Sequence, residues 1–219
     1  MKKTLLSLAA GGLVSLLVSN PASAALKLIV DSPTVQQSSS DVTQYVDAFF
    51  NETAVDNEQM TGMFFVAYLK GPNVGPTGVH FGAFDAAASQ PSAAHPFIFP
   101  GQAISNFGSD ALNYKVGADA PSSGAVNVTD GQGVVRLPIV IPAGTAPGAY
   151  SIAIDDDPNT PGEAGFTTFG TQDPRFADTA VYPFTSQDGV LTVTAVPEPA
   201  TLGLFSIAAV GLLARRRKA

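Results

Sequence analysis

The chain has no cysteine. That absence excludes a disulfide framework, thiol catalysis and every thiolate metal site. Tryptophan is absent too, and the two histidines, His80 and His95, are too few for a histidine-ligated catalytic metal. Charged residues make up 13% of the chain, against about a quarter in ordinary soluble domains. Cations are the scarcer kind, 11 Lys and Arg against 18 Asp and Glu, for a net charge of −7. Proteins that bind nucleic acid concentrate basic residues to meet phosphate, so no nucleic-acid partner is expected. Glycine and proline are abundant, 21 and 17 of 219 residues. The hydrophobic share of 45% is ordinary for a globular chain and too high for a disordered one. This length suits about one domain with appendages.

Both ends read as addresses. Lys2 and Lys3 precede an apolar run from Leu5 to Val18, and Ala22-Ser23-Ala24 is a small-residue box. This is the layout of a secretory signal peptide. Residues 1–24 are therefore expected to form a signal peptide helix, cut between Ala24 and Ala25, with the Sec translocon and signal peptidase as partners. At the other end, residues 196–219, Val196-Pro197-Glu198-Pro199 is stiff because each proline fixes φ and removes a donor. An uncharged run from Leu202 to Ala214 follows, stopped by Arg215, Arg216, Arg217 and Lys218. A basic cluster behind an apolar segment keeps that end on the cytoplasmic side, and snorkelling arginines extend a short span. A transmembrane helix over about 200–214 is expected, with the inner membrane as a transient partner.

The ordered set Pro197-Glu198-Pro199, apolar segment and terminal Arg215–Lys218 resembles the PEP-CTERM sorting signal of bacterial exported proteins. The resemblance implies an exosortase as partner, with the tripeptide as its recognition site. It further implies removal of the tail and passage of the protein to the cell surface or the extracellular polymer matrix. A plain C-terminal anchor is the alternative.

Between these ends the charge picture changes. Residues 25–196 hold five basic groups against seventeen acids, a net −12. Such a surface repels anionic polymers unless cations bridge them.

The domain, residues 25–195, shows short apolar or alternating runs separated by Gly, Pro, Asn, Asp and Ser. Strands are expected near Leu26–Val30, Gln44–Phe50, Met63–Leu69, Val79–Phe84, His95–Phe99, Leu112–Val116, Val134–Ile141, Ala149–Ile154 and Val190–Val196. The last places Leu191, Val193 and Ala195 on one face. Turn formers lie between the runs, among them Gly71-Pro72-Asn73 and Pro147-Gly148. Pro138 inside Val134–Ile141 points to an edge or a bulge there. Residues 155–189 lack periodicity and read as a long loop, or a loop with one irregular strand near Ala180–Phe184. About nine short strands favour an all-β fold, a two-sheet antiparallel β-sandwich, with a barrel as the alternative.

The stretch Pro142-Ala143-Gly144-Thr145-Ala146-Pro147-Gly148-Ala149-Tyr150-Ser151-Ile152 joins two of these strands. It is similar to a turn-and-strand of cohesin-like sandwich domains, in which a Pro/Gly turn leads into a strand opening Gly-x-Tyr. That resemblance implies a fold, an Ig/cohesin-like jelly roll, and does not extend to a dockerin partner.

Chemistry has few places to reside. Asp155, Asp157 and Asn159 carry oxygens at alternate positions, as a hard cation such as calcium needs. The EF-hand pattern then fails, with Thr160 in place of glycine and Phe166 at the twelfth position. A looser calcium loop completed by Glu163 or Asp173 competes with a solvated acidic turn. Three carboxylates on one loop do not make the facing pair of a glycosidase. No Gly-x-Ser-x-Gly elbow is present, and a triad would have to recruit His80 or His95 with Asp85 or Asp110 at spacings that propose none. Phe166, Phe169, Phe176, Tyr182 and Phe184 either stack on sugar rings or plug the end of the sandwich. No catalytic residue is assigned and no cofactor is expected beyond a calcium ion. The leading expectation is a non-enzymatic exported protein, structural or adhesive, with exopolysaccharide as a further partner. A secreted calcium- or carbohydrate-binding module is the alternative, and a divergent hydrolase the third.

Overall fold

In a computed structural model the described residues are 26–51, 59–122, 124–155, 167–171 and 184–196. They form thirteen strands: β1 (Leu26–Val30), β2 (Thr34–Gln36), β3 (Val42–Phe50), β4 (Gln59–Lys70), β5 (His80–Phe81), β6 (Ser105–Asn106), β7 (Asn113–Asp119), β8 (Val126–Asn127), β9 (Gly133–Ile141), β10 (Gly148–Ile154), β11 (Thr168–Thr171), β12 (Phe184–Gln187) and β13 (Gly189–Thr194). One sheet has the order β12-β1-β3-β9-β5 and the other β2-β13-β10-β4-β7-β6, with β8 and β11 also paired to β4. The described part is thus all-β and two-layered. The terminal segments 1–25 and 197–219, with the expected signal peptide and transmembrane helices, lie outside the described residues. Among those described, no helix is long and apolar enough to cross a membrane.

Alternation explains the elements that the sequence announces. In β1, Leu26, Leu28 and Val30 are buried while Lys27 and Ile29 are partly exposed, the two-residue period of a half-buried strand. In β4, Met63, Phe65, Ala67 and Leu69 join the core. They meet Val46, Ala48 and Phe50 of β3 and Val135, Leu137, Ile139 and Ile141 of β9 in the same cluster. Tyr114 and Tyr150 are also fully buried. The Tyr114 hydroxyl keeps a polar partner, Ser89 Oγ at 2.5 Å, as a buried phenol requires.

Several expectations change in detail. Residues His95–Phe99 do not form a strand. Pro96 interrupts the run and Pro100 follows it, and only Phe97 bridges to Gly133. Ile98 and Phe99 are nonetheless buried, so their apolar character reports packing and not a ladder. The expected Val79–Phe84 strand contracts to β5: at the next rung Gly82 N–H still donates to the Pro138 carbonyl at 2.8 Å, but Pro138 has no N–H to return the bond. Pro138 itself is neither at an edge nor in a bulge. The irregularity lies between Ala48 and Phe49 of the facing strand. Arg136 N–H points away from β3 to the Ser89 carbonyl, and the Pro138 carbonyl points the same way, to Gly82. The donor that proline lacks would face the two-residue β5 side, so no bond to β3 is lost.

The two ends of the domain change sheet together. The chain passes from β1 to β2 through Asp31–Pro33, and from β12 to β13 through Asp188 alone. β1 pairs with β12 in parallel, Leu26 opposite Phe184 to Ile29 opposite Gln187. In the other sheet β2 pairs with β13 in parallel, Thr34 opposite Thr192 to Gln36 opposite Thr194. Among the pairings of the described strands these two are parallel and the others antiparallel. The switch is hydrogen-bonded throughout: Val190 N–H to Ser32 Oγ at 3.0 Å, Thr192 N–H to the Pro33 carbonyl at 2.9 Å, and Ile154 N–H to Asp188 Oδ1 at 3.2 Å.

Gly189 sits at the crossing, where an added Cβ would stand 2.5 Å from the Asp31 carbonyl oxygen and 2.6 Å from Val30 Cγ1. Gly189→Ala is therefore expected to cost about 1–3 kcal/mol through overpacking, a fall in Tm of roughly 2–12 °C at 2–4 °C per kcal/mol for this size. An unchanged thermal unfolding curve would contradict the tight crossing.

Candidate functional site

The acidic strand end is split by the structure. Asp155 follows β10 and is only 3% exposed. Its N–H donates to the Val66 carbonyl at 3.0 Å, and its carbonyl accepts from Thr167 N–H at 2.6 Å. Thr167 Oγ1 in turn accepts from Val66 N–H at 2.9 Å. The backbone of Asp155 is thereby sealed into the sheet between β10 and β11, and it does not sit in a solvated turn. Asp157 and Asn159, with Glu163 and Asp173, lie outside the described residues. Among the described residues no group of three His, Cys, Asp or Glu is placed to hold a metal.

The candidate acid–base residues are engaged elsewhere. His80 Nδ1 lies 2.7 Å from the Gly78 carbonyl. His95 Nδ1 lies 3.0 Å from the Gly131 carbonyl, and its ring stacks on Phe49 with centroids 3.9 Å apart. Asp85 Oδ1 accepts from Ala87 and Ala88 N–H, and Asp110 Oδ1 accepts from Leu112 and Asn113 N–H, so each carboxylate closes its own turn. Of the aromatics in the unperiodic segment, Phe169 is fully buried. It lies edge to face between Phe50 and Phe184, 5.1 Å from each. It plugs the sandwich, while Phe166, Phe176 and Tyr182 lie outside the described residues.

One ion pair was not legible beforehand. Asp47 on β3 faces Arg136 on β9, with Arg136 Nε 2.9 Å from Asp47 Oδ1 and Nη2 3.3 Å from Oδ2. Ser92 N–H also donates to Oδ2 at 3.2 Å, and the guanidinium lies over the Tyr45 ring, 5.8 Å from its centroid. Burial works against the Asp47 charge. The hydrogen bonds from Arg136 and Ser92 and the Arg136 charge outweigh it, and hold this carboxyl below the usual range. The group fastens the 82–98 loop to the sheet. Sequence spacing offers no signal for it, since the partners are 89 residues apart.

The tail of the chain leaves β13 at once: Ala195 and Val196 are exposed and are the last described residues. Pro197, Glu198, Pro199 and Arg215–Lys218 lie outside the described residues, as do Ala24 and Ala25. Residues 195–218 match the PEP-CTERM protein-sorting motif. No curated protein matches the chain in sequence. Among solved structures it is similar to cohesin domains. The seventh ScaB type I cohesin from Pseudobacteroides cellulosolvens is 14% identical, with 80% of this chain and 96% of that one covered and a TM-score of 0.48. The sixth cohesin of Acetivibrio cellulolyticus scaffoldin B, solved with a Cel5 dockerin, is 16% identical over 78% and 99% of the two chains, at a TM-score of 0.49. A type II cohesin domain from the cellulosome of Acetivibrio cellulolyticus is 12% identical over 76% and 94%, at 0.41. The likeness concerns strand arrangement, and the dockerin belongs to the complex in which it was solved.

Because the folded-state pKa of Asp47 is depressed, the stability it contributes is present above the usual carboxylate pKa of about 4 and is lost as the pH falls through the lower folded value. Asp47→Asn is expected to cost about 1–3 kcal/mol at neutral pH, between an exposed and a buried pair. The difference from the unaltered protein should shrink toward about pH 2. A constant difference across urea titrations at both pH values would contradict this role.

Proposed function

We propose that this is a non-enzymatic exported protein, carried out behind a signal peptide and sorted by an exosortase to the cell surface or the extracellular polysaccharide matrix, where it has a structural or adhesive role. The observation that carries the reading is the PEP-CTERM protein-sorting motif at 195–218, which begins directly after the last strand of the sandwich. Such a motif implies a membrane-anchored precursor that an exosortase processes. In this reading Glu198, flanked by Pro197 and Pro199, is the recognition element. Arg215, Arg216, Arg217 and Lys218 hold the tail's end on the cytoplasmic side.

A role without catalysis is supported by the partners that the described histidines and two of the described aspartates already have. Both histidines have a ring nitrogen beside a backbone carbonyl, and Asp85 and Asp110 are closing turns. The net −12 of residues 25–196 favours partners that are not polyanions. Exopolysaccharide of neutral or cationic composition is accordingly the matrix partner of this reading.

Intact mass of the protein released from a host that carries an exosortase tests the sorting. The expected form begins at Ala25 and ends near Pro197–Pro199. Glu198→Ala, or deletion of 215–218, should leave the precursor in the membrane fraction. A released form that still carries Arg215–Lys218 would overturn the reading.

A further inference from the structure

Among the described residues Phe107 is the most exposed of the large hydrophobics, at 57%, yet its position is held from several sides. Its N–H donates to the Lys115 carbonyl at 2.9 Å. Asn106 Oδ1 accepts from Gly108 N–H at 3.1 Å and Ser109 N–H at 2.8 Å, closing the turn that carries the ring. Ser109 Oγ bonds both the N–H and the carbonyl of Lys115, at 2.9 and 3.0 Å. The ring stands edge to face on Phe64 with centroids 5.5 Å apart. Beneath it lies Gly117, in the middle of β7, where an added Cβ would come within 2.8 Å of Phe107 Cε2 and 3.0 Å of the Met63 carbonyl oxygen. Glycine weakens a strand interior, and its presence there marks a close approach. Here the approach is that of an aromatic ring which remains mostly in solvent.

A cavity of about 240 Å³ opens beside that ring, lined also by Met63, Gln102, Ser105, Ala118 and Asp119. Met63 and Ala118 give it a buried apolar floor. The side chains of Gln102, Ser105 and Asp119 have no hydrogen-bond partner among the described residues. The Gln102 backbone, in contrast, is pinned by Gln90 Nε2 on its carbonyl at 3.0 Å and by its own N–H on the Phe99 carbonyl at 3.1 Å. An immobilised aromatic, an amide, a hydroxyl and a carboxylate thus converge on one cleft, with no cation in its lining. The volume is below the roughly 300–1,000 Å³ of drug-sized sites, which suits a single ring.

We propose that this cleft is a subsite for one pyranose ring of a non-anionic polysaccharide, its C–H face on Phe107 and its hydroxyl or amino groups on Gln102, Ser105 and Asp119. A sugar ring presents an apolar face and a rim of donors and acceptors, which is the pattern of the lining. Amide and hydroxyl groups pair with either sense of sugar hydroxyl, and the carboxylate accepts from a hydroxyl or an ammonium. Uronates are disfavoured by Asp119 and by the acidic field of the domain. This assignment rests on the matrix reading for its polysaccharide. Its test reads ligand binding and not processing, so the two can fail separately.

The experiment is ligand-observed saturation-transfer NMR and titration of the full chain in detergent micelles. The probes are cellohexaose, a chitosan hexamer, an oligogalacturonate and a lysine-rich peptide. Cellohexaose, the chitosan hexamer or both should bind, and which of them binds identifies the source of the ring. Phe107→Leu should weaken that binding about 2–10-fold with an unchanged melting curve, while Phe107→Tyr retains it. Gln102→Ala should weaken it by a similar factor. The proposal is overturned if neither cellohexaose nor the chitosan hexamer binds, or if Phe107→Leu binds as well as the unaltered chain. Binding of only the oligogalacturonate or only the peptide overturns it too.

Discussion

The arrangement depends on one constraint, the passage of two strands from sheet to sheet side by side. β1 and β12 lie together in one layer, and their continuations β2 and β13 lie together in the other. The two layers are therefore stitched by backbone as well as by the apolar core. The stitch works only if the chains approach closely at Val30–Asp31 and Gly189, where the space left for a side chain is negative. Once the crossing is made, Leu26, Leu28 and Val30 face Phe50 and Phe169 in one core. Leu191 and Val193 complete that core from the second sheet. The N-terminal and C-terminal parts of the domain are thus each other's neighbours.

Much of this was legible where burial alternates along a single strand. β1 and β9 were read nearly to the residue, and β10 and β13 likewise at their starts, because their inward positions are aliphatic or aromatic and their turns carry Gly or Pro. The parallel partners were not legible. β12, Phe-Thr-Ser-Gln, has a polar composition and becomes a strand only because β1 offers it a ladder. β2, β6 and β8 have two or three residues each, too few for a period to show. The opposite error came from His95–Phe99, where apolar residues are buried by packing between prolines and turns.

The same distinction applies to the functional residues. The sorting tail is a linear signal, complete in residue order, and so was readable without any fold. The Phe107 cleft is made by side chains from β4, β7, β6 with its turn, and the loop before it, joined only through strand pairing. A lone phenylalanine between Asn106 and Gly108, and a glycine in the middle of β7, were its only traces in the sequence. The Asp47–Arg136 pair is of the same kind, and so is the burial of Asp155, whose acidic neighbours in sequence suggest solvent.

The parallel registration of the domain's two ends has a mechanical consequence. A protein fixed at a surface or within a polymer matrix bears load along its chain. Here, tension applied between residue 26 and residue 194 pulls β1 and β2 one way and β12 and β13 the other. Strands that run parallel and are pulled from opposite ends slide past each other, so their rungs are loaded together in shear, whereas a hairpin opens rung by rung. The Leu26–Phe184 to Ile29–Gln187 ladder and the Thr34–Thr192 to Gln36–Thr194 ladder lie in two different layers and share that load. Resistance to forced opening is a matter of unfolding rate and not of equilibrium stability, and in the proposed surface role these two ladders are the ones that tension on the domain's ends would load first.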